Sequence, residues 1–213
     1  MASFADMIDG YRRFRETGWT QQRERWDELR DGQSPRVMII ACSDSRVDPS
    51  QIFDTNPGEV FVVRNVAALV PPFETTPGRH GVSAALEFAV QVLKVSEIVV
   101  MGHGRCGGCQ AALTQELKDA PAGQGGFIAH WIDLLDEARD KVRAVHGPDD
   151  HSREALRAME KEGVKVSLAN LRTFPFVQSG ESQGKLKLIG AYFAISDGIL
   201  HMLDEGSGEF APA

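Results

Sequence analysis

The chain has 213 residues, of which 42% are hydrophobic and 25% charged, and its formal net charge is −7. This composition predicts a globular domain with its own core, and an acidic chain without a basic block argues against nucleic-acid binding. The N-terminus lacks the apolar stretch of a signal peptide, and no apolar run approaches the roughly 20 residues of a membrane span, so we expect a cytoplasmic protein with no membrane partner.

Residues 1–32 form a predicted helical arm. Its apolar residues recur at helical spacing in two segments separated by Gly18. They are Phe4, Met7, Ile8, Tyr11, Phe14, Trp19, Trp26 and Leu29. An arm with so many charges can pack on its own domain, but arms of this kind often wrap a partner subunit. We therefore divide the chain into an arm, residues 1–32, and an α/β domain, residues 33–213.

Strands and helices alternate over the rest of the chain. Short apolar runs predict strands at 36–42, 59–65, 96–103 and 185–195, of which the last is taken as the final strand. Helical spacing predicts helices at 80–93, 106–118, 127–145 and 151–172. This order implies an α/β fold with right-handed crossovers and a mainly parallel central sheet flanked by helices.

Candidate metal ligands lie where two of these strands end. Ligands of α/β proteins gather at the carboxyl ends of the strands, and Cys42 and His103 close the first and third predicted strands. Cys106 follows His103 at the turn into the next helix. Two thiolates and an imidazole suit zinc, and three protein ligands leave a fourth position open, as in catalytic zinc sites.

Other interpretations of the cysteines stay open at this point. A single Cys at a strand end is often a small core residue, and an odd count of three argues against a disulfide framework. Cys109 follows Cys106 at CxxC spacing, so Cys42, His103, Cys106 and Cys109 could form a closed Cys3His structural site. Against the closed site, Cys109 lies in a helix that must bury one face, and charged residues alternate with the first cysteine.

Asp44 and Arg46 alternate with Cys42 after the first strand. On an extended chain these three side chains point to the same side. Arg46 can hold Asp44 through a bidentate contact that keeps the carboxylate ionised and fixed in orientation. Such a carboxylate beside a zinc-bound water can accept a hydrogen bond from it. Asp48, directly before Pro49, is interpreted as a helix cap.

The stretch CSDSR at 42–46, together with the His-x-x-Cys spacing at 103–106, resembles the β-class carbonic anhydrases. The stretches at 60–72, 80–108 and 190–198 match the same family in the same order. The resemblance implies a zinc enzyme that interconverts carbon dioxide and bicarbonate. It implies one Zn²⁺ per subunit held by Cys42, His103 and Cys106, with a zinc-bound hydroxide oriented by a catalytic dyad of Asp44 and Arg46.

The resemblance also implies an assembly and a substrate pocket. Family members are dimers, often paired into tetramers, with N-terminal helices that wrap the partner and active sites at the subunit interface. Gln33, Phe61, Val66 and Phe88 fall where plant-type members place substrate-pocket residues. Phe88 stands where those members carry a tyrosine, so any contact made by that hydroxyl is missing here.

The family has two site states, and one residue here bears on the choice between them. In the open state the Asp pairs with the Arg, whereas in the closed state it moves onto zinc. Bicarbonate favours the closed state through a pocket that uses a Trp three residues before the first Cys. The residue here is Ile39, although the matching Arg64 is present. We therefore expect an open site without the bicarbonate switch.

Two rival functions follow from the same residues. Some relatives with these zinc ligands hydrolyse carbon disulfide or carbonyl sulfide, and the ligands alone do not separate the substrates. The closed Cys3His site would instead make the chain a structural zinc module without catalysis. Retention of zinc after replacement of Cys109 separates the catalytic site from the closed one.

Overall fold

The computed structural model describes residues 2–213 and contains a six-stranded sheet with the order β2-β1-β3-β4-β5-β6. The strands are β1 Val37–Cys42, β2 Val60–Asn65, β3 Glu97–His103, β4 Lys187–Ala194, β5 Ile199–Asp204 and β6 Glu209–Pro212. The first four are parallel to one another, and the last two pair antiparallel. The predicted α/β fold with a mainly parallel sheet is therefore confirmed.

The chain also forms α-helices, and those that follow the arm flank this sheet. They are α1 Phe4–Glu16, α2 Gly18–Gln21, α3 Arg23–Leu29, α4 Pro49–Ile52, α5 Gly81–Glu87, α6 Gly107–Thr114, α7 Gly126–Ile132, α8 Asp136–His146, α9 Arg153–Leu171 and α10 Pro175–Ser182. A π-helical segment, Phe88–Leu93, continues α5, and 3₁₀ turns cover Val66–Ala68 and Asp133–Leu135.

Three helix predictions needed correction. The helix predicted at 106–118 ends at Thr114, because Gln115 adopts a left-handed conformation with φ 58°. The helix predicted at 127–145 is divided into α7 and α8 by the intervening 3₁₀ turn. The predicted helices also omit α10, which follows the helix predicted at 151–172 and has Pro175 in its first turn, where a proline without an N–H is well tolerated.

The strand at 185–195 is also not the last strand. After β4 the chain turns back at Gly198, which has φ 74°, and forms the β4–β5 pair with Ala194 opposite Ile199. The edge strand β6 has four residues and ends on Pro212, a residue that sheets accept at their edges. Both strands are short and only partly buried, so they lack the continuous apolar run that marked the parallel strands.

The core lies on both faces of the sheet, as expected for buried parallel strands. In β1, Met38 and Ile40 pack into a cluster with α5, α9 and α10, while Ile39 and Ala41 face an apolar cluster on the opposite side. The three helices of the arm contain no buried residue. Among residues 2–213, no helix is long and apolar enough to cross a membrane.

Candidate active site

The three predicted ligands meet at the carboxyl edge of the sheet. Cys42 ends β1 and His103 ends β3, two neighbouring parallel strands, while Cys106 caps the N-terminus of α6. One donor atom from each residue lies within 4.8 Å of the others, and all three residues are buried. The Sγ atoms of Cys42 and Cys106 are 4.0 Å apart. The topology therefore brings residues 61 positions apart into one compact donor group.

The chemistry of His103 fits a cation at this point. Its Nδ1 lies 3.0 Å from the carbonyl oxygen of Gly104, and since a carbonyl only accepts, Nδ1 carries the proton. Nε2 then offers a lone pair, yet it is buried and has no hydrogen-bond partner within residues 2–213. A buried polar atom without a partner is costly. A nitrogen and two sulfur donors are the ligand set that zinc prefers.

The two thiols are protonated in the absence of a cation. Interaction with the Cys106 thiol, together with burial, raises the pKa of Cys42 to about 12. Interaction with the Cys109 thiol and burial also raise the pKa of Cys106. Because only the thiolates are ligands, binding of a cation would release these protons, and affinity for the cation would fall as the pH falls.

Asp44 lies beside this donor group and is held by Arg46. Arg46 Nε donates to Asp44 Oδ1 at 2.9 Å, and Nη2 donates to Oδ2 at 2.6 Å. The hydrogen bonds from Arg46 hold the pKa of Asp44 well below its usual range. Asp44 Oδ2 is also 4.0 Å from Nε2 of His103. The carboxylate is thus ionised, fixed by the fork of the guanidinium and turned toward the donor group.

A second arginine braces the loop that carries Cys42 and Asp44. Arg64 of β2 donates to the carbonyl oxygens of Cys42 at 2.9 Å and Asp44 at 2.6 Å. It also donates to Asp48 Oδ2 at 3.0 Å. The other Asp48 oxygen accepts from the backbone N–H of Ser50 at 2.9 Å and caps α4, which confirms the predicted cap. The bracing role of Arg64 was not predicted, because it depends on the pairing of β1 with β2.

Comparison with known proteins identifies the family. A family model described as "Carbonic anhydrase" matches residues 37–200. The chain belongs to the carbonic anhydrase family. A carbonic anhydrase of Pseudomonas aeruginosa is 37% identical over 207 residues, which cover 96% of this chain and 90% of that protein.

Solved structures place the chain in the β class of that family. The β-carbonic anhydrase CcaA superposes with a TM-score of 0.90 at 29% identity, covering 99% of this chain and 92% of that one. One of the structures described as two tetrameric β-carbonic anhydrases from Sordaria macrospora superposes with a TM-score of 0.78 at 28% identity, covering 94% and 96%. The predicted resemblance to β-class carbonic anhydrases is confirmed.

Within this carbonic anhydrase fold, Cys109 stays outside the donor group. The group found within residues 2–213 contains Cys42, His103 and Cys106 only. Cys109 is buried in a core cluster, and its Sγ would lie 3.9 Å from a Cβ added at Gly163 of α9. Its position is that of a packed core residue facing α9. The geometry gives no support to a closed four-ligand site.

The four predicted substrate-pocket residues do not form one group within a single chain. The rings of Phe61 and Phe88 are 5.9 Å apart, and Phe61 pairs with Met38 near the start of β1. Val66 lies against Gly108, two residues after Cys106. Gln33 precedes β1, whereas Cys42 ends it. Along a six-residue strand at about 3.3 Å per residue, these ends are roughly 20 Å apart.

A cavity of about 490 Å³ borders the same edge of the sheet. Its lining includes Arg46, Arg105, Glu160, Tyr192 and Ile195, but none of the three candidate ligands. The cavity therefore borders Arg46 and the turn between His103 and Cys106, and it is not lined by the donor group itself.

Two residues behind the ligands were missed by the sequence analysis. Glu160 of α9 is 3% exposed, and its Oε1 accepts from the backbone N–H of Cys106 at 2.9 Å. Its Oε2 accepts from the hydroxyl of Tyr192 at 2.9 Å, and burial raises the pKa of Tyr192 to about 12. One sequence feature could have pointed to Glu160, because this glutamate lies among the buried residues of α9, next to Met159 and four residues before Val164.

Proposed function

We propose that this chain is a zinc enzyme that catalyses the reversible hydration of carbon dioxide to bicarbonate and a proton. The observation that carries the proposal is the pairing of a Cys2His donor group with an ionised, immobilised carboxylate. The donor group contains an unpartnered imidazole nitrogen, and Asp44 beside it is held in two places by Arg46. Membership of the carbonic anhydrase family supports the same reaction.

Cys42, His103 and Cys106 would hold the zinc ion. When bound, zinc supplies a Lewis acid that lowers the pKa of water toward neutrality. The contribution of the chain is to present two thiolates and one imidazole nitrogen from the ends of adjacent strands and a helix N-terminus. Three protein donors leave room for water, as catalytic zinc sites require.

Asp44 would orient the attacking water. Since Arg46 occupies one side of the carboxylate, Asp44 can accept a hydrogen bond from water on its other side, toward His103. That bond would direct an oxygen lone pair at carbon dioxide. The pKa of Asp44 lies well below its usual range, so the carboxylate remains an acceptor throughout the neutral range and loses this role only in strong acid.

We infer an open site without a bicarbonate switch. Asp44 pairs with Arg46 in the structure, Ile39 is buried in an apolar cluster, and Arg64 is engaged by Cys42, Asp44 and Asp48. Crystals of the zinc-loaded protein grown with bicarbonate, at neutral and alkaline pH, should keep the Asp44–Arg46 pair. An Asp44 oxygen bound to zinc would contradict this inference.

We further propose that the active site is completed by a second copy of the chain. Val66 would supply part of the apolar wall for carbon dioxide from the same chain. Gln33, Phe61 and Phe88 would come from the other subunit, since within one chain they lie toward the far end of β1 from Cys42. The arm supports the assembly, because none of its helical residues is buried in a single chain and the large apolar side chains of α1 are exposed. The unit would be a homodimer or a tetramer of such dimers.

Stopped-flow carbon dioxide hydration combined with metal analysis tests the reaction. Wild type should contain one zinc per chain and hydrate carbon dioxide. Asp44→Asn should keep zinc but lose activity by about 10- to 100-fold, because a misoriented water reacts slowly. Asp133→Asn, an exposed carboxylate away from the site, is the matched control and should behave as wild type.

One outcome of this experiment would contradict the proposal, and a second assay would then identify the alternative substrate. A zinc-loaded wild type without hydration activity from neutral to alkaline pH would exclude the reaction. Hydrolysis of carbon disulfide or carbonyl sulfide by that same preparation would then assign the site to the rival substrate class.

A further inference from the structure

The turn that carries two of the three ligands is held in a strained conformation. It runs from His103 to Cys106, and its residue Arg105 has φ 55°. A left-handed conformation costs a non-glycine residue about 1–2 kcal/mol. The carbonyl oxygen of Arg105 accepts from Nη2 of Arg46 at 3.0 Å. A turn with this cost keeps its shape only where its surroundings fix it.

Two further contacts fix the turn from outside. The N–H of Gly104 donates to the carbonyl oxygen of Phe193 in β4 at 3.0 Å. The N–H of Cys106 donates to Oε1 of Glu160 in α9 at 2.9 Å. The first contact ties the turn to the next strand, and the second ties the backbone of a ligand residue to a buried carboxylate.

Burial of the Glu160 side chain carries a free-energy cost. It is 3% exposed, and within residues 2–213 no Lys, Arg or His forms a salt bridge with it. Buried carboxylates are tolerated when hydrogen bonds satisfy them, and the hydroxyl of Tyr192 supplies the second one at 2.9 Å. An apolar residue of similar size would avoid this cost, so the carboxylate has a use beyond packing.

The end of β3 is packed closely against the elements that present this pair. A Cβ added at Gly104 would lie 3.1 Å from the hydroxyl oxygen of Tyr192. A Cβ added at Gly102 would lie 2.7 Å from Cγ2 of Val164 in α9. The end of β3 therefore lies in direct contact with β4 and α9. A displacement of Glu160 would for this reason also displace the turn.

We propose that Glu160 and Tyr192 are positioning residues for the metal centre. Through the N–H of Cys106 they hold the strained turn in the conformation that directs Cys106 and His103 at Cys42. Neither residue touches the substrate or donates to the metal. The inference rests on the proposed zinc site. Residues that orient metal ligands in this way typically change metal affinity by about 10- to 100-fold.

Three variants separate the hydrogen bonds from the packing. Glu160→Leu removes the acceptor and keeps most of the volume. Glu160→Gln keeps an oxygen for the Cys106 N–H and a polar partner for Tyr192, so it should rescue the function. Tyr192→Phe deletes one hydroxyl and keeps the test valid should Glu160→Leu fail to fold. Leu171→Ala, a fully buried position further along α9, is the control for general destabilisation.

The readouts are zinc affinity, by competition with a chromophoric chelator, and the absorption spectrum of the cobalt(II)-substituted protein. Glu160→Leu should lower zinc affinity by about 10- to 100-fold and alter the thiolate-to-cobalt bands, with a smaller effect in the same direction for Tyr192→Phe. Glu160→Gln should lie close to wild type. Leu171→Ala should lower the melting temperature but leave both readouts unchanged.

The results distinguish failure of this inference from failure of the proposed function. Wild-type affinity and an unchanged cobalt spectrum in both Glu160→Leu and Tyr192→Phe would overturn the positioning role alone. A wild-type chain that binds neither zinc nor cobalt would overturn the proposed zinc site, and the positioning role with it.

Discussion

The donor group and the N-terminal arm differ in how much of their contact surface a single chain covers. The donor group consists of Cys42, His103 and Cys106. Around the donor group, hydrogen bonds connect residues of β1, β2, β4 and α9. Across α1, α2 and α3 no residue is buried, and large apolar side chains such as Phe4, Met7 and Tyr11 are mostly exposed. The donor group is a property of one chain, whereas the arm presents a surface that one chain does not cover.

This difference predicts that metal binding and assembly are separable. The three donors already lie within 4.8 Å of one another in the single chain. Gln33, which follows the arm directly, is instead remote from them along β1. Variants at the metal centre should therefore change zinc content, and variants of the arm should change assembly while zinc stays bound.

The largest effect is expected from removal of a ligand. Loss of a residue that orients a ligand typically lowers zinc affinity by about 10- to 100-fold. Cys42→Ser removes a ligand itself, so it should lower zinc affinity further, and activity should disappear with the metal. Cys109→Ser, which replaces another buried thiol outside the donor group, is the matched control and should retain one zinc per chain. Loss of stoichiometric zinc from Cys109→Ser would restore the closed four-ligand alternative.

An intermediate effect is expected from Arg46→Ala. Without the guanidinium the pKa of Asp44 should rise toward its ordinary value of about 3.9, so the carboxylate stays ionised at neutral pH. The loss therefore comes from orientation, and hydration should fall by about 10- to 100-fold. Stopped-flow rates should show the same factor at pH 7 and pH 9. A loss confined to one end of this range would contradict the orienting role.

The smallest effect on zinc binding is expected from the arm. Met7→Glu combined with Tyr11→Glu places two charges on its exposed apolar face and should dissociate the assembly in analytical ultracentrifugation, because buried charges oppose association. Zinc content should stay at the wild-type level, while hydration should fall because the dissociated chain lacks the pocket residues of the second copy. Glu16→Gln on the same helix is the control. Loss of zinc together with assembly would show that the two regions are not separable.

The sequence predicted those parts of the fold that depend on local patterns. The four parallel strands could be found because each is a continuous apolar run ended by polar or glycine residues. The cap at Asp48 and the bidentate contact between Asp44 and Arg46 could be predicted because the residues are close in sequence. The structure confirms the cap and shows the contact.

What the sequence did not reveal depends on tertiary contact. Strands β5 and β6 are short and half-exposed, and their pairing comes from the turn at Gly198. The bracing by Arg64 requires the register in which it faces Ala41. Glu160 lies 54 residues from Cys106, and its contact with the turn from His103 to Cys106 forms only when α9 packs on β3.

The central claim is that a Cys2His zinc site with Asp44 as the orienting carboxylate interconverts carbon dioxide and bicarbonate. Exchange of oxygen-18 between carbon dioxide and water, followed by mass spectrometry at chemical equilibrium, measures that interconversion separately from proton release. Zinc-loaded wild type should accelerate the exchange, and zinc-loaded Asp44→Asn should lose most of the acceleration. A zinc-loaded wild type that leaves the exchange at the uncatalysed rate would contradict the account.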